Sequence, residues 1–287
     1  MIKKGIILAG GHGTRLSPLT KILNKQLLPL YDKPIIYYPL SILMLAGIKD
    51  ILIISNVGER RSFMKLLGNG KDLGIKISYI EQFKPKGLPD AFIVGEEFIG
   101  KDDVALILGD NFFYGQGFTE RLNKTLRNNI GATIFTYNVN NPSDYGILEL
   151  KNKKIKRIVE KPKKPKSNLA ITGLYYFNNK VIKYAKSLKP SKRKELEIVD
   201  LINKYLKEKK LKAEFMGRGS AWLDTGNPKN LFNAAQFIST IEERQGQKIA
   251  CLEEIAYQKK WITKINVLKR ISFYGKCEYS SYLRKII

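Results

Sequence analysis

The sequence predicts an α/β protein built on a mostly parallel, doubly wound sheet. Three observations carry this. Continuous apolar runs, Ile51 to Ser55 and Val104 to Asp110, read as strands buried on both faces. Segments with helical spacing separate the runs, as βαβ units require. A first short strand, Gly5 to Leu8, empties into three glycines, Gly10, Gly11 and Gly13.

Taken in order, Pro34 opens a helical pattern that closes at Gly47, the usual proline-first, glycine-last arrangement. Strands are expected at Ile51–Ser55, Ile75–Ile80, Val104–Asp110 and Ala132–Val139, and helices at Pro89–Phe98 and Thr119–Arg127. Beyond residue 140 the rhythm changes. Tyr145–Leu150, Ile155–Glu160 and Ala170–Phe177 read as strands without long helices between them, an antiparallel extension of the first sheet. Helices Asn179–Ser187 and Glu197–Lys209 follow, then a strand at Leu211–Gly217. A long helix starts near Pro228, with Leu231, Ala234, Ala235, Ile238 and Ile241 as its core or interface stripe. The last forty residues read as further helix interrupted at Gly275.

Bulk properties narrow the class. A chain of 287 residues with 44% hydrophobic and 27% charged residues is an ordinary soluble composition, long enough to bury a core without staples. Cys251 and Cys277 have no metal-ligand spacing and read as reduced thiols. The apolar run after Lys3 and Lys4 is too short for a signal peptide core. Ile35–Ile48 is short of a membrane span and contains Pro39. A cytoplasmic protein without a membrane partner is expected. The net charge of +25 is the one extreme value. Without aromatic-interleaved or zinc motifs it reads as surface lysine spread along the chain, in Lys161–Lys166, Lys192–Lys194 and Lys207–Lys212, and no nucleic-acid partner is expected.

The residues that could carry chemistry lie at loop positions. Successive N–H groups around Gly10, Gly11 and Gly13 form an anion-binding nest, and Arg15 and Lys25 add fixed cations. The loop lacks the third glycine of the dinucleotide fingerprint, and no Walker A sequence occurs. Asp110 ends an apolar strand, where ligands bind in open sheets, and Asp224 sits in a Leu-Asp-Thr-Gly turn. Both are hard donors suited to Mg²⁺, although each could be a cap or an Asx-turn. Glu160-Lys161-Pro162 could pair a sugar hydroxyl and a phosphate, although such a triplet is more often a surface corner. Tyr145-Gly146 and Thr172-Gly173 are strand-end positions open to a ligand. His12 is the sole histidine and there is no GxSxG elbow, so Ser–His and Cys–His schemes find little support. Positioned cations, a metal and backbone donors fit phosphoryl or nucleotidyl transfer.

Together, Leu8-Ala-Gly-Gly-x-Gly-Thr-Arg-Leu16, Lys25-Gln-Leu-Leu-Pro29, Leu108-Gly-Asp-Asn111 and Glu160-Lys-Pro162 resemble the sugar-nucleotide pyrophosphorylases. Tyr31-Asp-Lys-Pro34, Gly217-Arg-Gly219, Ala221-Trp-Leu-Asp-Thr-Gly226 and Ile241-Glu-Glu-Arg-Gln-Gly246 narrow this to the glucose-1-phosphate thymidylyltransferase branch. The resemblance implies the nucleotide-diphospho-sugar transferase fold, a Rossmann-like α/β/α sandwich with a mixed, mostly parallel sheet. It implies the reaction of dTTP with α-D-glucose 1-phosphate to give dTDP-glucose and pyrophosphate. By resemblance, Leu8, Gly10, Gly11, Gly13, Thr14, Arg15 and Lys25 hold the nucleotide phosphates, and Gln82 and Gly87 the base. Asp110 and Asp224 bind Mg²⁺. Asn111, Tyr145, Gly146, Glu160, Thr172 and Gly173 surround the sugar, and Lys161 holds its phosphate.

The implied layout is a nucleotidyltransferase core over residues 1–245, with a nucleotide part to about 140 and a sugar part over 141–227. A helical region over 246–287 would lie at a subunit contact of a homotetramer. The branch also implies a rhamnose-nucleotide feedback site, here near Arg218. His12 and Gly115-Gln-Gly117 depart from the expected pattern, and the second weakens the feedback expectation. A UTP-using relative, or a regulatory or nucleic-acid-binding protein on the same fold, are the competing readings.

Overall fold

The computed structural model describes residues 2–11 and 13–287. The first strand, β1 (Lys4–Ala9), lies in the middle of a nine-stranded mixed sheet. It pairs in parallel with β4 (Asp50–Asn56) on one side and with β6 (Val104–Leu108) on the other. Between β1 and β4 lie a two-residue hairpin, β2 (Pro29–Leu30) with β3 (Lys33–Pro34), and α1 (Tyr37–Leu45). This corrects the helix expected from Pro34. Pro34 is held in the hairpin opposite Pro29, so the helix starts three residues later.

Past β4, helix α2 (Arg60–Leu67) leads to β5 (Lys76–Gln82), the parallel strand at that edge. The single helix expected over Pro89–Phe98 is two short ones, α3 (Asp90–Val94) and α4 (Glu96–Ile99), broken at Gly95. After β6 the chain makes a two-residue turn, Gly109-Asp110, and enters β7 (Asn111–Gly115). Asp110 therefore follows the strand rather than ending it. Helix α5 (Phe118–Arg127) returns the chain to β8 (Ala132–Asn138).

The antiparallel extension appears as expected. The hairpin of β9 (Gly146–Lys151) and β10 (Lys154–Glu160) feeds β11 (Leu169–Phe177), which runs antiparallel to β6, β8 and β9. Helices α6 (Lys180–Lys186) and α7 (Ile198–Lys207) cover that part, and β12 (Leu211–Phe215) joins β8 in parallel. Strand β13 (Ser220–Asp224) then pairs with β7, outside the main sheet.

The long helix α8 (Pro228–Gln245) begins with Asn227 accepting from the Asn230 N–H. Its stripe is core-facing at Ala234 and Ile238, packed with Leu16, Leu28, Tyr38 and Phe112. Three helices close the chain: α9 (Leu252–Gln258), α10 (Lys264–Tyr274) and α11 (Glu278–Lys285). Ile7, Ile53 and Ile107 pack into one large core with α1 and α9, whereas their neighbours Ile6, Leu52 and Leu106 pack into another with α3, α6 and α7. A strand that buries both faces needs an unbroken apolar run, which is what β1, β4 and β6 show.

Candidate active site

The glycine loop leaves β1 at the carboxyl end of the parallel strands, the usual ligand edge of an open sheet. Gly11 is clamped by Asn56 at the end of β4. Its N–H donates to Asn56 Oδ1 at 2.9 Å, and Asn56 Nδ2 donates to the Gly11 carbonyl at 3.1 Å. One N–H of the expected nest is thus committed to the protein. Thr14 and Arg15 start a one-turn helix whose first N–H groups have no intrahelical partner. The Leu8 carbonyl accepts from the Gly109 N–H at 2.9 Å, tying the loop to the Asp110 turn. His12 lies outside the described residues.

Lys25 is placed by its neighbour. Asn24 caps the turn Lys25–Leu27 by accepting from the Gln26 N–H at 2.8 Å, and its amide donates to the Ala9 carbonyl at 3.1 Å. Lys25 is thereby buried against the end of β1, where its ammonium pairs with Asp110 Oδ2.

The two aspartates, 114 residues apart in the chain, meet through the β7–β13 ladder. Asp224 stands opposite Asn111, the residue after Asp110. The Thr225 N–H and hydroxyl both donate to the Asp110 carbonyl, at 3.2 and 3.1 Å. Asp224 Oδ1 accepts from the Gly226 N–H at 3.0 Å and from Asn230 at 2.8 Å, and Oδ2 accepts from the Tyr145 hydroxyl at 2.8 Å. The Asx-turn is real and part of the site. Burial alone would raise the Asp224 pKa, but these donors outweigh it and hold the carboxyl below its ordinary range. Burial, then the facing Asp224 carboxylate, push the Tyr145 phenol up.

Asp110, Asp224, Arg15, Tyr145, Glu160 and Lys161 line one cavity of about 410 Å³. Asn111, Gly146, Thr172, Gly173 and Trp222 complete that wall. Asn111 is its hub. Oδ1 accepts from Trp222 Nε1 at 2.6 Å and from the Gly173 N–H at 3.1 Å, and Nδ2 donates to Asp110 Oδ1 at 2.9 Å. A Cβ at residue 173 would stand 2.5 Å from that oxygen, so only glycine admits the contact. The Thr172 hydroxyl is buried with no partner among the described residues, an orphan that a sugar hydroxyl would satisfy. Lys161 takes a left-handed φ of 41° at the end of β10 and is exposed.

Glu160 is more than a surface corner. It faces Arg193 at 3.2 Å, and Arg193 also pairs with Glu197 at 2.6 Å. Burial raises the Glu160 pKa, with Arg193 opposing the shift.

Gln82 and Gly87 lie outside this cavity lining, on the β5 side. Gln82 ends β5 beside Asn56, and Gly87 packs against Leu196, whose N–H donates to the Lys86 carbonyl at 2.7 Å. The structure thus unites the two aspartates, Arg15, Lys161 and the sugar-side residues in one cavity, joins Lys25 to it through Asp110, and leaves Leu8, Gly10, Gly11, Gly13, Thr14, Gln82 and Gly87 outside its lining. Asn56, Tyr145's partner Trp222, Arg193 and Asn230 were missed by sequence reasoning. The end of β4 was the available signal for Asn56; nothing local marked Arg193.

The donor set fits a hard divalent cation. Asp110 and Asp224 are two of the four carboxylates that line the cavity, with Asp144 and Glu160, and no group of three or more His, Cys, Asp or Glu that could hold a metal occurs among the described residues. Such ions take one or two carboxylates, with substrate phosphates and water completing the sphere.

A fold with a glycine loop at the strand ends, facing paired carboxylates and free cations, defines a nucleotidyl-transferring enzyme. The chain matches the nucleotidyl transferase family over residues 4–241 and belongs to it. It is 51% identical over 285 residues, 99% of both chains, to the glucose-1-phosphate thymidylyltransferase of Neisseria meningitidis. It is 47% identical over 285 residues, again 99% of both, to that of Mycobacterium tuberculosis. Among solved structures, a Bacillus anthracis protein assigned as a glucose-1-phosphate thymidylyltransferase superposes with a TM-score of 0.76 at 39% identity, over 82% of this chain and 94% of that one. A UDP-glucose pyrophosphorylase bound to UDP-glucose gives 0.75 at 26%, over 84% and 100%. No helix among the described residues is long and apolar enough to cross a membrane.

Proposed function

We propose that this nucleotidyltransferase transfers a thymidylyl group from dTTP to α-D-glucose 1-phosphate, releasing pyrophosphate. The observation that carries the reading is the pairing of β13 with β7, which brings Asp110 and Asp224 into one cavity with Arg15 and Lys161, and Lys25 onto Asp110. The relatives of similar length support the choice of nucleotide and sugar.

The sugar phosphate is already anionic, so its oxygen attacks the α-phosphorus in line without a general base. Thr14, Arg15 and the N–H groups of the Gly10–Gly13 loop other than that of Gly11, which is held by Asn56, hold the triphosphate. Lys25 neutralises charge at the reacting phosphorus, and Lys161 holds the phosphate of the incoming sugar. Thr172, Glu160, Asn111, Gly146 and Gly173 enclose the sugar, with Tyr145 braced on Asp224. Gln82 and Gly87 meet the base. Asp110 and Asp224 would hold Mg²⁺, which supplies charge neutralisation on the phosphates when bound.

Residues 1–245 form the catalytic core, with the nucleotide part to about 140 and the sugar part over 141–227. Residues 246–287 serve a subunit contact of a homotetramer. Ile265, Leu268 and Phe273 on α10 are 65%, 42% and 72% exposed, as an apolar contact surface would be in an isolated chain. The enzyme works in the cytoplasm. Pyrophosphate release measured with dTTP, UTP and ATP against glucose 1-phosphate and Mg²⁺ tests the reading. Turnover is expected with dTTP, and no turnover with any of the three would sink it.

A further inference from the structure

Gln82 is held by a carboxylate. Its side chain is buried at the end of β5, and its Nε2 donates to Asp90 Oδ2. Asp90 is itself buried, at 6% exposure, in the first turn of α3. Its N–H donates to the Gly87 carbonyl at 3.2 Å, so the loop 83–89 is closed on itself. Among the described residues Asp90 has no ion-pair partner, and Gln82 is its one side-chain hydrogen-bond donor.

This fixes which way the amide points. Glutamine carries one oxygen and one NH₂ that are nearly interchangeable in shape, and only the hydrogen-bond partners decide between them. A carboxylate only accepts. Facing Asp90, Gln82 must present Nε2 to it and turn Oε1 away. Oε1 points toward the glycine loop: a Cβ on Gly10 would lie 3.3 Å from it. A nucleotide held on that loop therefore meets an acceptor at this position, and the flipped amide would set two acceptors against each other.

We propose that Asp90 is a positioning residue for nucleotide selection, locking Gln82 so that Oε1 accepts from a pyrimidine that carries a proton at N3. Thymine and uracil have that N3–H. Cytosine has a bare N3 acceptor there, so the locked oxygen faces a lone pair. The lock selects the imide pyrimidines against cytosine and is indifferent to the thymine methyl. This rests on the reading above that Gln82 meets the base.

The test uses the whole enzyme and reads kcat/KM for dTTP, UTP and dCTP with glucose 1-phosphate and Mg²⁺, together with calorimetric affinity for each nucleotide. The native enzyme is expected to prefer dTTP over dCTP by about 10²-fold or more, as a site with a buried unpaired acceptor rejects the wrong partner. Asp90→Asn can accept or donate, so it frees the amide to rotate. It is expected to cut the dTTP-to-dCTP ratio at least ~10-fold, on the order of one hydrogen bond, with the dTTP-to-UTP ratio unchanged.

A merely structural role lowers all three nucleotides by one factor, and that result in Asp90→Asn overturns the proposal. So does a native enzyme that binds dCTP as tightly as dTTP. Gln82→Ala separates the two levels. If it changes the ratio while Asp90→Asn does not, only the lock fails. If it leaves both ratio and affinity unchanged, the lock fails along with the placement of Gln82 at the base. The calorimetric arm reports on selection even if turnover is absent.

Discussion

Residues 1–150 carry 18 lysines and arginines against 14 acidic residues, whereas residues 151–212 carry 21 against 5. Most of the excess positive charge thus sits in about a fifth of the chain, which corrects the expectation of an even spread. Four cations of each region form ion pairs among the described residues, Lys4, Lys25, Lys33 and Arg121 in the first and Arg157, Lys180, Lys186 and Arg193 in the second, so the regions differ in where the unpaired cations cluster. In the first, Lys25 and Lys33 are buried on Asp110 and Glu242, and the glycine loop presents backbone N–H groups beside Arg15. In the second, Lys154, Lys156, Lys204 and Lys207 have no ion-pair partner among the described residues, and a groove lies between β10 and α7 with Lys156, Arg157, Lys189, Lys204 and Lys207 on its walls. Both β10 and α7 have one end on the catalytic cavity. A positive face beside a cavity that takes two anions raises their local concentration and their rate of arrival. One region grips; the other gathers.

The contrast can be broken most strongly at Lys25 and Lys161, the two lysines proposed to act on the reacting phosphates. Lys161→Ala and Lys25→Ala are each expected to lower turnover at least ~10²-fold, the scale of one lost electrostatic contact in a catalytic site. Their stabilities should differ. Lys161 is exposed and its loss should leave the melting temperature in place, whereas Lys25 is buried on Asp110 and its loss should lower it. Calorimetry beside pyrophosphate release makes the comparison, and equal melting temperatures would erase the distinction between paired and unpaired cations.

Asn111→Ala addresses what holds the regions together. It leaves the Trp222 indole and the Gly173 N–H without their acceptor. About 3 kcal/mol of lost stability in urea unfolding is expected, from two buried donors at ~1–3 kcal/mol each. A smaller effect follows from the gathering role. Reversing Lys154, Lys156, Lys204 and Lys207 to Glu should lower kcat/KM a few-fold, on the order of 3–10, at low salt and hardly at all at high salt, because screening shortens with ionic strength. Reversing Lys65, Lys71, Lys76 and Lys101 instead changes net charge equally and should cost less. Equal losses would mean that only net charge matters.

The smallest effect is in pH. The Asp224 pKa is depressed below its ordinary 3.8 in the fold. Its ionised form therefore adds stability that is complete above that value and fades as the pH falls through the folded one. Urea unfolding from pH 7 to pH 3 should show the native chain losing its margin over Asp224→Asn only at the acid end. A constant margin would remove the hydrogen-bonded carboxylate from the account.

Much of this was legible in the chain. Ile51–Ser55 and Val104–Leu108 announced themselves because a strand covered on both faces cannot afford polar positions. Ile147 and Leu148 face opposite cores, so β9 read as a strand too, but its partner order needed the fold. Strands β7 and β13 escaped notice because Asn111–Gly115 and Ser220–Asp224 are short and flanked by Gly109, Gly117, Gly219 and Gly226, which favour turns. The motif residues Arg15, Lys25, Asp110, Asp224 and Lys161 could be named individually, since glycine loops and strand-end acids are local signals. Asn56, Arg193 and Asp90 could not, because their roles consist of partners: Gly11, Glu160 and Gln82.

The β7–β13 pair also dates the birth of the site. A chain emerging from the ribosome can complete most of the large sheet by β12, yet Asp224 arrives later, after more than three quarters of the sequence. Until then Asp110 is paired with Lys25 but lacks its opposite carboxylate. Chains ending before residue 224 carry the glycine loop, Lys25 and Asp110 without Asp224. On the proposed roles of the two aspartates, the site is completed in the last quarter of synthesis, before helices α8 to α11 are made.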